Sequence, residues 1–212
     1  MELENYKKQQ AEWPQEGHHI MARFDRDTIW VYQAYNSAIA DFAVRNQRFG
    51  GSFSYTRMSW IKPNFLWMMY RSGWASKPGQ ERVLAIRIKR EDFDELLREA
   101  VFSSFQSHIY PDHAAWKAAV KASGVRLQWD PDHCPHGHKL ARRAIQLGMR
   151  DEFLQRYGKN WVIAIEDITD FVHEQHRNIN DFVRLVIPTE RVYPVTDKAV
   201  AKRLRITQYE EN

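Results

Sequence analysis

The stretch SWIKPNFLWMMYRSGW, residues 59–74, constrains the fold of this chain more than any other. Proline is tolerated in a first helical turn and glycine stops a helix, so Pro63 and Gly73 frame a predicted helix over 63–72. Phe65, Leu66, Trp67, Met68 and Met69 then cover almost its whole circumference. A helix that is apolar all round is buried on all sides. The rest of the chain must therefore be wrapped around it. Its ends are different: Arg57, Ser59 and Lys62 precede it, and Tyr70, Arg71 and Ser72 close it. A rigid apolar element with polar ends can preorganise a pocket. The plainer reading is a core helix with Arg71 doing no more than capping its last carbonyls.

The remaining pattern supplies the wrapping. Residues 20–35 read as one or two strands, 36–49 as a helix stopped by Gly50 and Gly51, and 52–61 as a strand. ERVLAIRIKR is a strand, EDFDELLREAVFSSF a helix with acidic residues in its first turn, and a helix over about 112–122 precedes the strand GVRLQWD. PDHCPHGH reads as a loop, KLARRAIQLGMRDEFLQRYG as mostly helical, NWVIAIEDIT as a buried strand, and 181–195 as a last strand pair. Regular crossovers, GxGxxG and P-loop motifs are absent. The class expected is α+β: a polar lead-in over 1–18, one compact domain over 19–205 with a mixed or antiparallel sheet core and flanking helices, and a charged tail over 206–212.

Charge and cysteine content bound the partners. Lys and Arg number 31 against 27 for Asp and Glu, a formal charge of +4 that permits an anionic partner without demanding one. The single cysteine, Cys134, allows no internal disulfide and fits a reducing compartment. No run approaches the roughly 20 apolar residues of a membrane helix, and no signal peptide is legible. A cytoplasmic protein without membrane contact is expected. Asp132, His133, Cys134, His136 and His138 are all possible ligands, but their spacing matches no zinc template, so no metal is expected. GxSxG is absent, which disfavours a serine hydrolase.

VYQAYNSAIADFAV, TRMSWIKPNFLWMMYRSGWASKPGQERVLAIRI, VRLQWDPD and RRAIQLGM together resemble the domain-of-unknown-function family 4291, in order from about Arg23 to Thr169. Where that family usually reads WDPER this chain reads WDPDH, so Asp132 stands in place of a glutamate. The family name supplies no reaction. The order of residue types is also similar to the ADP-ribosyltransferase superfamily, which implies a split-sheet α+β fold and NAD as co-substrate. In that superfamily an early strand bears Arg or His, a later one Ser, Thr or Tyr, and a third a carboxylate.

On that resemblance, Arg23 or Tyr32 and Gln33 would serve on the early strand, with Ser59, Trp60, Lys62 and Arg71 also binding the dinucleotide. Glu81 or Asp130 would stabilise a ribosyl oxocarbenium, with Tyr70 beside them. Arg57, Gln128, Arg143 and Gln146 would hold the acceptor, which the basic balance makes a nucleic acid or nucleobase rather than a protein. The alternative is an RNA- or DNA-binding protein or nuclease without NAD chemistry, suggested by cations interleaved with aromatics over 55–74. Each residue also has a structural reading. Arg23 can pair with Asp25 or Asp27, Tyr32 and Trp60 can be core aromatics, and Glu81 can be a solvated turn charge.

Overall fold

The computed structural model describes residues 2–207, so the last five residues of the expected charged tail lie outside the described residues. The predicted central helix is present as α3, Phe65–Ser72. Asn64 caps it, accepting the Trp67 amide at 2.6 Å, and Pro63 sits one position before the cap rather than inside the first turn. Gly73 ends it at φ 60°, a left-handed value glycine adopts without strain. Phe65 through Met69 are all at most 5% exposed, whereas Tyr70 and Arg71 reach the surface.

Two sheets enclose this helix. One is three-stranded and antiparallel, ordered β3 (Thr28–Tyr35), β5 (Arg82–Lys89), β9 (Val162–Asp167). The other is four-stranded, ordered β4 (Ser59–Ile61), β8 (Lys139–Met149), β7 (Val125–His133), β6 (Val101–Phe102), with β6 parallel to β7 and the other pairs antiparallel. A backbone bridge joins them: the Tyr32 amide donates to the Lys62 carbonyl at 2.7 Å and the Lys62 amide returns to Tyr32 at 3.3 Å. Beyond it the sheets diverge. Two short antiparallel pairs complete the strands, β1 (Leu3–Asn5) with β10 (Val186–Pro188) and β2 (Met21–Ala22) with β11 (Arg191–Val192).

The three-stranded sheet is covered on both faces, which explains its unbroken apolar runs. Ile29 and Val31 of β3, with Leu84, Ile86 and Ile88 of β5, face a core shared with the second sheet and with helices α2 (Ser37–Asn46) and α4 (Arg90–Glu99). The alternate residues Trp30, Tyr32, Val83 and Ala85 face a second core built on α3, α1 (Tyr6–Glu12) and α7 (Thr169–Arg177). Helix α5 (His113–Ala122) runs along the surface, and α6 (Asp151–Arg156) with a π-helical turn at Tyr157–Trp161 and α8 (Lys198–Arg203) close the fold.

Several expectations are corrected. Residues 139–158 are not mostly helical: 139–149 form the longest strand, because pairing with β7 along its length overrides the helix propensity of Leu, Ala, Arg and Gln. The strand expected over 52–61 contracts to 59–61, since Phe53 and Tyr55 turn inward to an aromatic cluster with Phe49 and Tyr35. The loop expected from 131 begins after His133. The polar lead-in is part of the packed body, with Tyr6, Gln9 and Trp13 buried. Among the described residues no helix is long and apolar enough to cross a membrane.

Candidate functional site

Where the two sheets diverge they leave a cleft of about 760 Å³, within the range of ligand pockets. Strand β3 contributes Gln33 and Tyr35, the segment into β4 contributes Arg57, Ser59, Trp60 and Lys62, and α3 contributes Trp67 and Arg71. Gln128 and Asp130 come from β7, Gln146 from β8. Local sequence explains the convergence. Side chains alternate along a strand, so Gln33 and Tyr35 share a face, as do Gln128 and Asp130. Trp67 and Arg71 lie four residues apart on one helical face. Gly148 lets Trp60 lie against β8, because a Cβ there would meet the indole at 2.9 Å and Met58 sulfur at 2.7 Å.

Among the described residues Asp130 is the one carboxylate that lines the cleft. Its Oδ1 accepts from Gln128 Nε2 at 2.8 Å and its Oδ2 from Gln146 Nε2 at 2.7 Å, which fixes the plane of the carboxylate. The opposite wall is a neutral network. Tyr157 Oη donates to Gln33 Oε1 at 2.8 Å, Gln33 Nε2 donates to Ser59 Oγ at 2.9 Å and to the Trp60 carbonyl at 3.0 Å, and Ser59 Oγ shares a 2.9 Å bond with Tyr35 Oη. With its amide satisfied on both ends, Gln33 is a rigid support.

Lys62 is 4% exposed, and its ammonium makes no hydrogen bond or ion pair among the described residues. Burial, and secondarily the Arg71 guanidinium, lower its pKa from 10.5 to about 8, while the Asp130 carboxylate opposes that shift. Between pH 8 and 10.5 the unfolded chain retains a proton that the folded one has released, so stability should rise with pH across this window. The stability difference between wild type and Lys62→Met should therefore move in favour of wild type by about 3 kcal/mol from the bottom to the top of it. Urea titrations of both proteins at the two ends test this; parallel pH dependences would mean that the ammonium is solvated.

The structure does not bring every expected residue to the cleft. Arg23 lies over the Trp30 ring at 4.0 Å, outside the lining. Tyr32 is wholly buried with its edge toward Phe65. Tyr70 is on the surface, stacked on His133 at 3.6 Å. Glu81 is an exposed turn residue accepting the Gly79 amide at 2.7 Å. Arg143 is on the opposite face of β8 from Gln146, because they stand three positions apart on a strand of period two. Tyr35 and Trp67, not singled out from sequence, were legible as the same-face neighbours of Gln33 and Arg71.

Sequence reading also missed Glu190. Fully buried, it accepts the Phe65 amide at 2.6 Å and Asn64 Nδ2 at 3.2 Å, so the C-terminal chain caps the central helix. Burial raises its pKa well above the ordinary carboxylate value. In the 132–138 segment, Asp132 is bound to Arg142 and His136 Nε2 shares a 3.0 Å bond with Asn180. Among the described residues no group of three or more His, Cys, Asp or Glu is placed to hold a metal.

The architecture defines an α+β protein with a polar, cation-lined cleft where its two larger sheets diverge. Residues 19–193 match the family described as Domain of unknown function (DUF4291), and the chain belongs to that family. No curated protein matches it significantly.

Proposed function

We propose that the cleft binds NAD and transfers its ADP-ribosyl group. The observation that carries this reading is a single carboxylate, clamped by two amides, in a cleft that also holds Arg57, Lys62 and Arg71. Phosphates need the cations, and a positive sugar carbon needs the carboxylate. In the reaction the bond from nicotinamide nitrogen to ribose C1′ breaks and its electron pair leaves with neutral nicotinamide. Asp130 stabilises the oxocarbenium at C1′. An acceptor nitrogen or oxygen then bonds to C1′ and releases its proton to water. Arg71 and Arg57 serve the pyrophosphate, Lys62 adds a charge from the cleft floor, and Trp60 offers an aromatic face to a heterocycle. Asp130 takes the role over Glu81, which does not line the cleft.

Incubation with NAD labelled in the adenylate portion, with RNA, DNA and protein acceptors, should transfer label and release nicotinamide. Arg71 makes no side-chain bond within the described residues, so Arg71→Ala should stay folded. Loss of a charge-assisted contact should raise KM for NAD by about 10- to 100-fold. Absence of both label transfer and nicotinamide release from the wild type sinks the reading.

A further inference from the structure

A second cavity, of about 360 Å³, opens beside β7 where β6 ends. Arg143 and Arg205 line it, both exposed and neither making a side-chain hydrogen bond or ion pair among the described residues. Among the described residues no carboxylate lines it. Two cations that line one cavity repel each other, and an anion bound there would offset that repulsion. His18 also lines the cavity, and its pKa is lowered by burial and then by Arg205 and Arg143.

The wall itself is aromatic. Trp129 donates Nε1 to the Leu204 carbonyl at 2.9 Å, and His18 meets its ring edge-on at 4.9 Å, so the indole is held in one orientation. Ser103 Oγ donates to Gln128 Oε1 at 3.4 Å and Gln106 Nε2 to Ser104 Oγ at 3.1 Å, and the Ser103 hydroxyl oxygen and Gln106 amide keep further hydrogen-bonding capacity. Gln128 lines both cavities. Strand β6 pairs with β7 only as far as Phe102 opposite Leu127, so β7 has no strand partner on that side where Gln128 begins.

We propose that the second cavity is a groove for single-stranded nucleic acid, with backbone phosphate on Arg143 and Arg205 and an unstacked base against Trp129, and that it delivers the acceptor to the cleft. Phosphate alone would need only the cations. The fixed indole and the amide and hydroxyl groups match a base, with its π-face and hydrogen-bonding edge. The delivery half rests on the NAD reading; the binding half does not.

The test uses fluorescein-labelled single-stranded DNA and RNA of about 12 nucleotides, with anisotropy read across a salt series and NAD binding measured in parallel by calorimetry. Wild type should bind with salt-sensitive affinity. The double variant R143E/R205E should bind at least about 10-fold more weakly, with a log–log salt slope shallower by about 1.4, from the loss of two phosphate contacts. Both residues are exposed, and circular dichroism checks the fold. Binding of either probe by wild type with loss in the variant supports the groove, and the stronger probe identifies the nucleic acid. No binding by wild type, or equal binding by both proteins, overturns it. So does loss in the variant of binding to a labelled polyglutamate peptide alone, which would assign the surface to acidic protein. A wild type that binds the oligonucleotide but not NAD supports the groove and ends the donor reading.

Discussion

Arg142→Ala should destabilise the protein by about 3–5 kcal/mol, the cost of leaving a buried charge without its partner. Asp132 and Arg142 are 1% and 3% exposed. Arg142 Nε and Nη2 donate to Asp132 Oδ2 at 2.8 and 2.5 Å, Asp132 Oδ1 accepts the His133 amide at 2.7 Å, and Arg142 Nη1 donates to the Pro14 carbonyl at 2.7 Å. The guanidinium also covers Trp13 at 5.0 Å. The pair thus ties the β7–β8 hairpin to the N-terminal segment. Alanine strands the Asp132 carboxylate, frees the Pro14 carbonyl and uncovers the indole together. Urea unfolding should show a lower midpoint with an unchanged slope. A double replacement of both partners by apolar residues of similar size should recover part of the loss. A loss below about 1 kcal/mol for the single variant would show that water reaches the pair.

This pair also shows where sequence reading runs out. The burial of α3 was legible because five consecutive apolar residues leave a helix no exposed face. Gly73 and the divided polarity of the helix ends led from there to Lys62, Arg71 and Ser59 in one cleft. The strand β8 was not legible. Ala144, Ile145, Leu147 and Met149 fit both a helical stripe and a doubly buried strand, and the residue types favour a helix in isolation. Gly148 was the local sign against it. The role of the N-terminal segment was hidden for a different reason. Its few apolar residues form a thin stripe, and what buries them is the far end of the chain: Gln9 bonds the Pro188 carbonyl and the Glu190 amide, and Trp13 the Glu190 carbonyl. Contacts nearly the length of the chain apart leave no local period. Between Glu81 and Asp130, sequence could not choose, because each ends or begins a strand; only the register of β7 against β8 brings Gln146 to Asp130.

That register makes Asp130→Asn the sharpest test of the chemistry. Asparagine keeps the shape of the side chain but presents an NH2 group to one of its two amide neighbours. Gln146 Oε1 has no hydrogen-bond partner among the described residues, so Gln146 can turn its amide over and restore the bond at a stability cost below about 1 kcal/mol. The charge is what the variant lacks. In the proposed transfer, positive charge would build at C1′ only as the glycosidic bond breaks, so the carboxylate would act on the transition state more than on bound NAD. Asp130→Asn should lower kcat for nicotinamide release by about 10²–10³-fold with KM little changed. Glu81→Gln, in an exposed turn outside the cleft, should leave kcat within about twofold. Equal losses in kcat and in unfolding midpoint for Asp130→Asn would mark it as a structural tie between β7 and β8. A large loss for Glu81→Gln would move the chemistry out of the cleft altogether.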